Sequence, residues 1–248
     1  EPLDGRPLDY LIIHHMELDH SGEIENLVQR YPDVKIVGNC KTFRVLEAYF
    51  GKRDNLIEVK DGDTLSLGYH NLKFVFTPWV HWPETMMTFD ETDGILFSGD
   101  GFGCFGTVDG GFLDTRINVD KYWGEMVRYY SNIVGKYGSP VQKALQKLGG
   151  LPITTICSTH GPVWTENISR VIGIYDRLSR YDADEGVVIV YGSMYGNTEQ
   201  MAEAIAAELS AQGIRNIVMH NVTKSHPSYI LADIFRYKGL IVGSPTYS

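Results

Sequence analysis

The run His15-Met16-Glu17-Leu18-Asp19-His20 places four potential metal ligands within six residues, directly after the apolar stretch Leu11-Ile12-Ile13. More residues of the same kind follow at long range: His81 in His81-Trp82-Pro83-Glu84, Asp100 in Phe97-Ser98-Gly99-Asp100, and His160 in Ser158-Thr159-His160-Gly161. Each lies near the end of a strand-like run. Strand ends on one edge of a sheet converge in space although they are far apart in sequence, and a two-metal site needs that convergence. In extended backbone, side chains two apart point the same way, so residues 15, 17 and 19 are expected to share a face. Asp100 is the candidate bridge, because a carboxylate offers two oxygens.

The ligand types select among metals. Imidazole and carboxylate without thiolate exclude soft Cys-rich sites and disfavour all-oxygen magnesium or calcium sites. Zinc, iron and manganese remain. The cysteines, Cys40, Cys104 and Cys157, show neither a disulfide framework nor a Cys-x-x-Cys motif. They read as small buried or half-buried residues of a protein from a reducing cytoplasm.

The pattern His-x-[His/Glu]-x-Asp-His, then His, Asp and His, resembles the metallo-β-lactamase fold. Hydrolytic zinc members usually carry His at the second ligand position, where this chain has Glu17. With His81-Trp82-Pro83-Glu84-Thr85-Met86, that change is similar to the flavodiiron proteins, oxygen- or nitric-oxide-reducing enzymes. A carboxylate in place of an imidazole makes the site harder and more anionic, which suits ions cycling between +2 and +3. The resemblance implies two irons: His15, Glu17 and His81 on one, Asp19 and His160 on the other, Asp100 between them. These six would be the catalytic residues. His20 matches a family position that is often turned away from the metal, so its ligation stays open. Gly101-Phe102-Gly103-Cys104-Phe105-Gly106 departs from the family run, and the substrate pocket is not carried over.

A second motif lies downstream. Val187-Val188-Ile189-Val190-Tyr191 reads as a buried parallel strand. Gly192-Ser193-Met194-Tyr195-Gly196-Asn197-Thr198 follows, then a helix over 199–209 with Gly213 past its end. Strand, Gly/Ser/Asn/Thr loop and helix N-terminus form a phosphate cradle of backbone N–H groups and hydroxyls. The loop has no Lys and no Gly-x-Gly-x-x-Gly spacing, so it is neither a nucleotide-triphosphate P-loop nor a dinucleotide fingerprint. It resembles the flavodoxin FMN-phosphate loop. The run Gly239-Leu240-Ile241-Val242-Gly243 ends in Ser244-Pro245-Thr246-Tyr247-Ser248, which resembles the loop that contacts the flavin ring. The expected FMN contacts are Ser193, Met194, Tyr195, Gly196, Asn197 and Thr198 from one loop, and Ser244, Pro245, Thr246 and Tyr247 from the other. Helix capping alone explains one such loop better than two matched ones.

The expected fold is therefore α/β: a metallo-β-lactamase-like αββα sandwich over 1–183, without its first strands, then a partial flavodoxin-like doubly wound parallel sheet over 184–248. At 248 residues, 43% hydrophobic, the chain has room for one large domain and part of another. It reads as the middle of a longer protein. Net charge is −9 with no basic run, which argues against nucleic acid; no apolar stretch reaches the length of a membrane span.

Along the chain, strands are expected at 9–14, 34–37 and 153–159, a hairpin at 87–98, and helices at 21–31 (opened by Ser21), 41–50, 119–136, 139–148 and 167–180. A charged linker is expected at 181–186. His14, His70, His220 and His226 fall outside the ligand pattern and read as surface or capping residues, with His14 open to a role behind the ligands. Tyr122, Trp123, Tyr129 and Tyr130 stand at helical spacing and read as core. The resemblance implies an O2 or NO reductase fed through FMN, with rubredoxin or a similar small donor and a head-to-tail homodimer. The rivals are a zinc-dependent hydrolase of the same fold, which would have no use for FMN, and a metal-bearing but flavin-free interaction domain.

Overall fold

Parallel strands need crossover connections, and helices supply them in the first part of the chain. In the computed structural model, which describes residue 3 and residues 5–246, β1 (Tyr10–Ile12) leads through α1 (Leu18–Ser21) and α2 (Ile24–Arg30) to β2 (Lys35–Gly38). Then α3 (Cys40–Phe50) leads to β3 (Leu56–Glu58), giving a parallel sheet in the order β1-β2-β3. Asn39 caps α3, its side chain accepting the N–H groups of Lys41 and Thr42.

The second sheet is mostly antiparallel. It comprises β4 (Thr64–Ser66), β5 (Asn71–Phe76), β6 (Met86–Asp90), β7 (Ile95–Gly99) and β8 (Thr155–Ser158), in that spatial order. Only the β7–β8 pair is parallel, connected through α4 (Asp120–Tyr129) and α5 (Gly138–Leu148). After β8 comes α6 (Ile168–Ser179).

Three apolar layers follow from strand alternation. Ile36 faces α2 and α3 with Met16, Ile24 and Leu46. Its neighbour Val37 faces the other way, toward Phe74 and Met86 of the second sheet. The far side of that sheet, with Phe89 and Leu96, packs on Met126, Val141, Trp164, Val171, Tyr175 and Leu178 of the α4–α6 layer and its flanking loop. On α6 the buried residues Val171, Tyr175 and Leu178 fall at i, i+4, i+7, the stripe an amphipathic helix needs. Layers of helix, sheet, sheet and helix result, the expected αββα order.

The last part is a separate parallel sheet. It contains β9 (Asp184–Tyr191), α7 (Asn197–Ala211), β10 (Ile217–Asn221), α8 (Pro227–Arg236) and β11 (Tyr237–Gly243), ordered β10-β9-β11. This is the 2-1-3 portion of a flavodoxin-like sheet. No helix of the described residues is long and apolar enough to cross a membrane.

Three local expectations change. The helix expected over 21–31 is two short helices, and Ser21 closes the first instead of capping the second; its Oγ is drawn inward to Met16 O at 2.9 Å. The helix over 119–136 leaves α geometry after Tyr129, continuing as a π-turn at Tyr130–Val134 and a 3-10 turn at Gly135–Tyr137. The linker over 181–186 is shorter, because Asp184, Glu185 and Gly186 already belong to β9, where Asp184 is held by Arg177.

Candidate metal centre

The first ligand run is not one extended segment. β1 stops at Ile12 and α1 begins at Leu18, with the Glu17 carbonyl accepting the N–H groups of His20 and Ser21. Residues 15, 17 and 19 therefore do not share one strand face: Asp19 and His20 come from a helical turn, whose curvature lets two adjacent side chains reach one site. His15 is buried. Its Nδ1 lies 3.0 Å from Glu84 Oε1, which also accepts the Met16 backbone N–H. An ionised carboxylate only accepts, so Nδ1 carries the proton and Nε2 turns to the site.

His81 sits in a loop tied by Val80 N–H to Thr77 O, Trp79 N–H to Trp82 O and Thr77 N–H to Thr85 O. Asp100 and His160 follow β7 and β8, adjacent parallel strands whose ends reach the same edge. Gly161 fixes the last ligand: its φ is +91°, and a Cβ there would overlap the Cys104 sulfur. Burial pushes that thiol up to about 12.

The seven candidate ligands assemble as two groups, each with its ligand atoms within 4.8 Å of one another: His15, Glu17, His81 and Asp100, and Asp19, His20 and His160. Asp100 joins them. Its Oδ2 lies 3.0 Å from His81 Nε2 and 3.7 Å from His15 Nε2, and its Oδ1 lies 2.9 Å from His20 Nε2 and 3.4 Å from His160 Nε2. Glu17 stands 3.2 Å from His15 and 3.1 Å from His81; Asp19 is 3.3 Å from His160 and 3.4 Å from His20. His20 thus turns into the site.

The electrostatics fit a cation. Burial works to raise the Asp100 carboxyl, but its contacts with His20, His81 and Thr159 together outweigh it and hold it well below the usual carboxylate range. Burial alone would lower His15; Glu84, Asp100 and Glu17 together raise it. His20 is raised chiefly by Asp100, yet its buried Nε2 has no well-directed hydrogen bond. Three carboxylates drawing protons onto converging imidazoles is a donor set for divalent or trivalent ions, which displace those protons. Asp100 presents one oxygen to each group, as a bridging ligand must.

Comparison with known proteins places the chain. Residues 2–161 match the ODP family beta lactamase and residues 189–248 match flavodoxin. The chain belongs to the flavodiiron family. It is 34% identical to an uncharacterized protein of Methanocaldococcus jannaschii over 98% of its own length and 61% of that protein's. It is 32% identical to the anaerobic nitric oxide reductase flavorubredoxin of Escherichia coli over 98% of its length and 52% of that protein's. It superimposes on rubredoxin oxygen:oxidoreductase of Desulfovibrio gigas with a TM-score of 0.92 at 31% identity, covering 97% of this chain and 61% of that one. The flavodiiron protein of Giardia intestinalis gives a TM-score of 0.92 at 28% identity, covering 97% and 59%. The chain spans about half to three-fifths of the length of the relatives it matches.

In this flavodiiron chain the two flavin-type loops lie side by side. Gly192 N–H bonds Gly243 O at 3.0 Å, and a Cβ on Gly243 would touch the Thr198 methyl. Gly196 opens α7 at φ +85°, and Ser193 Oγ accepts the Glu199 N–H. Ser193, Gly196, Asn197 and Thr198 thus surround the helix N-terminus, with Ser244, Pro245 and Thr246 opposite. Met194 and Tyr195 are exposed, Tyr195 at 86%. Tyr247 and Ser248 lie outside the described residues.

Two residues at the site were not read as such. Glu84 stands in the His81-to-Met86 run, but its hold on His15 is visible only as a long-range contact. Tyr129 is buried as core, and it also lies against the His160 ring, centroids 5.6 Å apart. Burial takes His14 to about 4, and it pairs with Thr88 at 2.7 Å behind the ligands instead of lying at the surface. His70 pairs with Asp90, His220 with Asp233, and His226 caps α8.

Proposed function

We propose that this chain forms the metal-binding unit and part of the flavin-binding unit of an oxidoreductase that reduces O2 to water, NO to N2O, or both. The single observation behind this reading is the Asp100 carboxylate set between two ligand groups. His15, Glu17 and His81 would hold one iron; Asp19, His20 and His160 would hold the other. An iron pair supplies polarisation and electrons to a diatomic substrate, and FMN collects those electrons from a donor.

The chain's own residues position this chemistry. Glu84 fixes the His15 tautomer and ring angle. Glu17 and Asp19 lower the charge of the site and favour the higher oxidation state. Tyr129, whose ring lies 5.6 Å from that of His160, would limit water on that side.

Ser193, Gly196, Asn197 and Thr198 would hold the FMN phosphate at the α7 N-terminus. Met194, Tyr195, Ser244, Pro245, Thr246 and Tyr247 would line the ring. The division at 183/184 then separates the metal unit from the flavin unit. A head-to-tail homodimer would carry the flavin of one subunit toward the ligands of the other. The names of two relatives point to rubredoxin as donor. The free thiols suit a reducing cytoplasm.

Elemental analysis with a visible spectrum tests the reading. Two irons per chain, with flavin absorbance in the full-length protein, is the expected result. Zinc without flavin, reproduced after iron-replete growth, would overturn it in favour of the hydrolase.

A further inference from the structure

We propose that the open groove between α4, α6 and α8 binds a phosphate-bearing organic anion of nucleotide size, held by Arg170, Arg177 and Arg236. The groove has a volume of about 770 Å³ and is lined by none of the metal-ligand or flavin-loop residues. That volume lies within the range of small-molecule sites.

Four guanidiniums reach it. Arg128 is already engaged: it sits between the Phe105 and Tyr229 rings and donates to Glu125 and Ser228. Arg177 and Arg236 share a single carboxylate, Asp184, at 2.6 and 3.5 Å. A guanidinium has five N–H donors, so both keep donors beyond that contact. Arg170 sits over the Trp123 ring, 4.0 Å from its centroid. Among the described residues it has no ion-pair partner. Stacking orients its plane while leaving the N–H edge to the groove. Of the three carboxylates at the groove, Glu125 is engaged by Arg128, Asp184 is the shared one, and Asp233 is also held by His220 at 2.8 Å. Four guanidiniums against three carboxylates leave the groove one net positive charge, in a chain of net charge −9.

Two glycines make room. Gly124 inside α4 and Gly173 inside α6 both line the groove. A glycine in a helix interior weakens the helix. Neither has a positive φ, and a Cβ built on either meets nothing within 4 Å. Packing therefore does not require them; the space they leave is the groove itself. Arg170, Gly173 and Arg177 stand at i, i+3 and i+7, so one face of α6 presents two guanidiniums with the gap between them. Paired N–H donors match phosphate oxygens. Tyr229, half exposed beside Arg128, offers a ring face for a base.

Calorimetric titration of the flavin-loaded full chain with ADP, and separately with inorganic phosphate, tests the site. ADP is expected to bind, and Arg170→Gln to weaken it roughly tenfold or more. Gly173→Ala should weaken ADP binding while raising the Tm of the ADP-free protein by about 2 °C. A merely structural glycine would not give that pair of effects. Absence of ADP binding, or binding unchanged in both variants, overturns the proposal, and an acidic protein partner becomes the better occupant. Inorganic phosphate binding as tightly as ADP would overturn the nucleotide-sized ligand.

Discussion

Glu84 Oε1 takes two hydrogen bonds at once, from His15 Nδ1 at 3.0 Å and from the Met16 backbone N–H at 3.1 Å. One buried carboxylate therefore sets both the ring and the backbone of the first ligand. Burial would raise its pKa, and the bonds from His15 and the backbone N–H groups together outweigh that and lower it. Partners of this kind behind a metal ligand are worth about 10–100-fold in affinity. Glu84→Ala should weaken one metal by that factor, read by chelator competition, with the far-UV spectrum unchanged. Unaltered affinity would remove Glu84 from the site.

Asp100 is the residue on which the two ligand groups depend together. Asp100→Ala should lower occupancy at both, whereas His160→Ala should lower it mainly at one. Metal content after dialysis distinguishes these. Full occupancy of both metals in Asp100→Ala would disprove the bridge.

Gly161→Ala places a methyl against the Cys104 sulfur at a backbone angle that L-residues rarely adopt. A cost of about 2 kcal/mol or more is expected. Because His160 precedes it, metal should be lost first from the Asp19, His20 and His160 group. Urea denaturation and metal stoichiometry check the two effects. Wild-type stability would mean that the loop relaxes freely.

Asp114 is buried and accepts hydrogen bonds from the backbone N–H groups of Thr165, Glu166 and Asn167 and from the side chains of Thr165 and Asn167. Burial pushes its carboxyl up, but the bonds from Thr165 and Asn167 outweigh it and hold it below the usual range. A carboxyl lowered on folding contributes stability above its unfolded pKa of about 4, and that contribution is lost as pH falls through the folded value. Asp114→Ala should cost about 3 kcal/mol near neutral pH. The gap between variant and wild type should narrow below about pH 4. A pH-independent gap would show that the charge has no part.

The sequence by itself determined the ligand types and the broad plan. Seven metal-ligand candidates stood near strand-like runs, and Glu17 in place of His pointed to the family. The strand-loop-helix run from Val187 through Thr198 marked the flavin unit. These signals were legible because they are local: ligand types, alternation and loop chemistry act over a few residues.

Tertiary structure decided what depends on long-range contact. Glu84 meets His15 across 69 residues, a pairing no local pattern contains. His20 joined the site because residues 18–21 fold into a helical turn, held by the Glu17 carbonyl and the inward Ser21 hydroxyl. Tyr129 became both core and neighbour of a ligand, since its buried ring lies 5.6 Å from that of His160. The arginine groove exists only because the fold brings α4, α6 and α8 around one opening, and two glycines unremarkable in sequence line it. Side-chain type is fixed residue by residue, but its surroundings are fixed by packing.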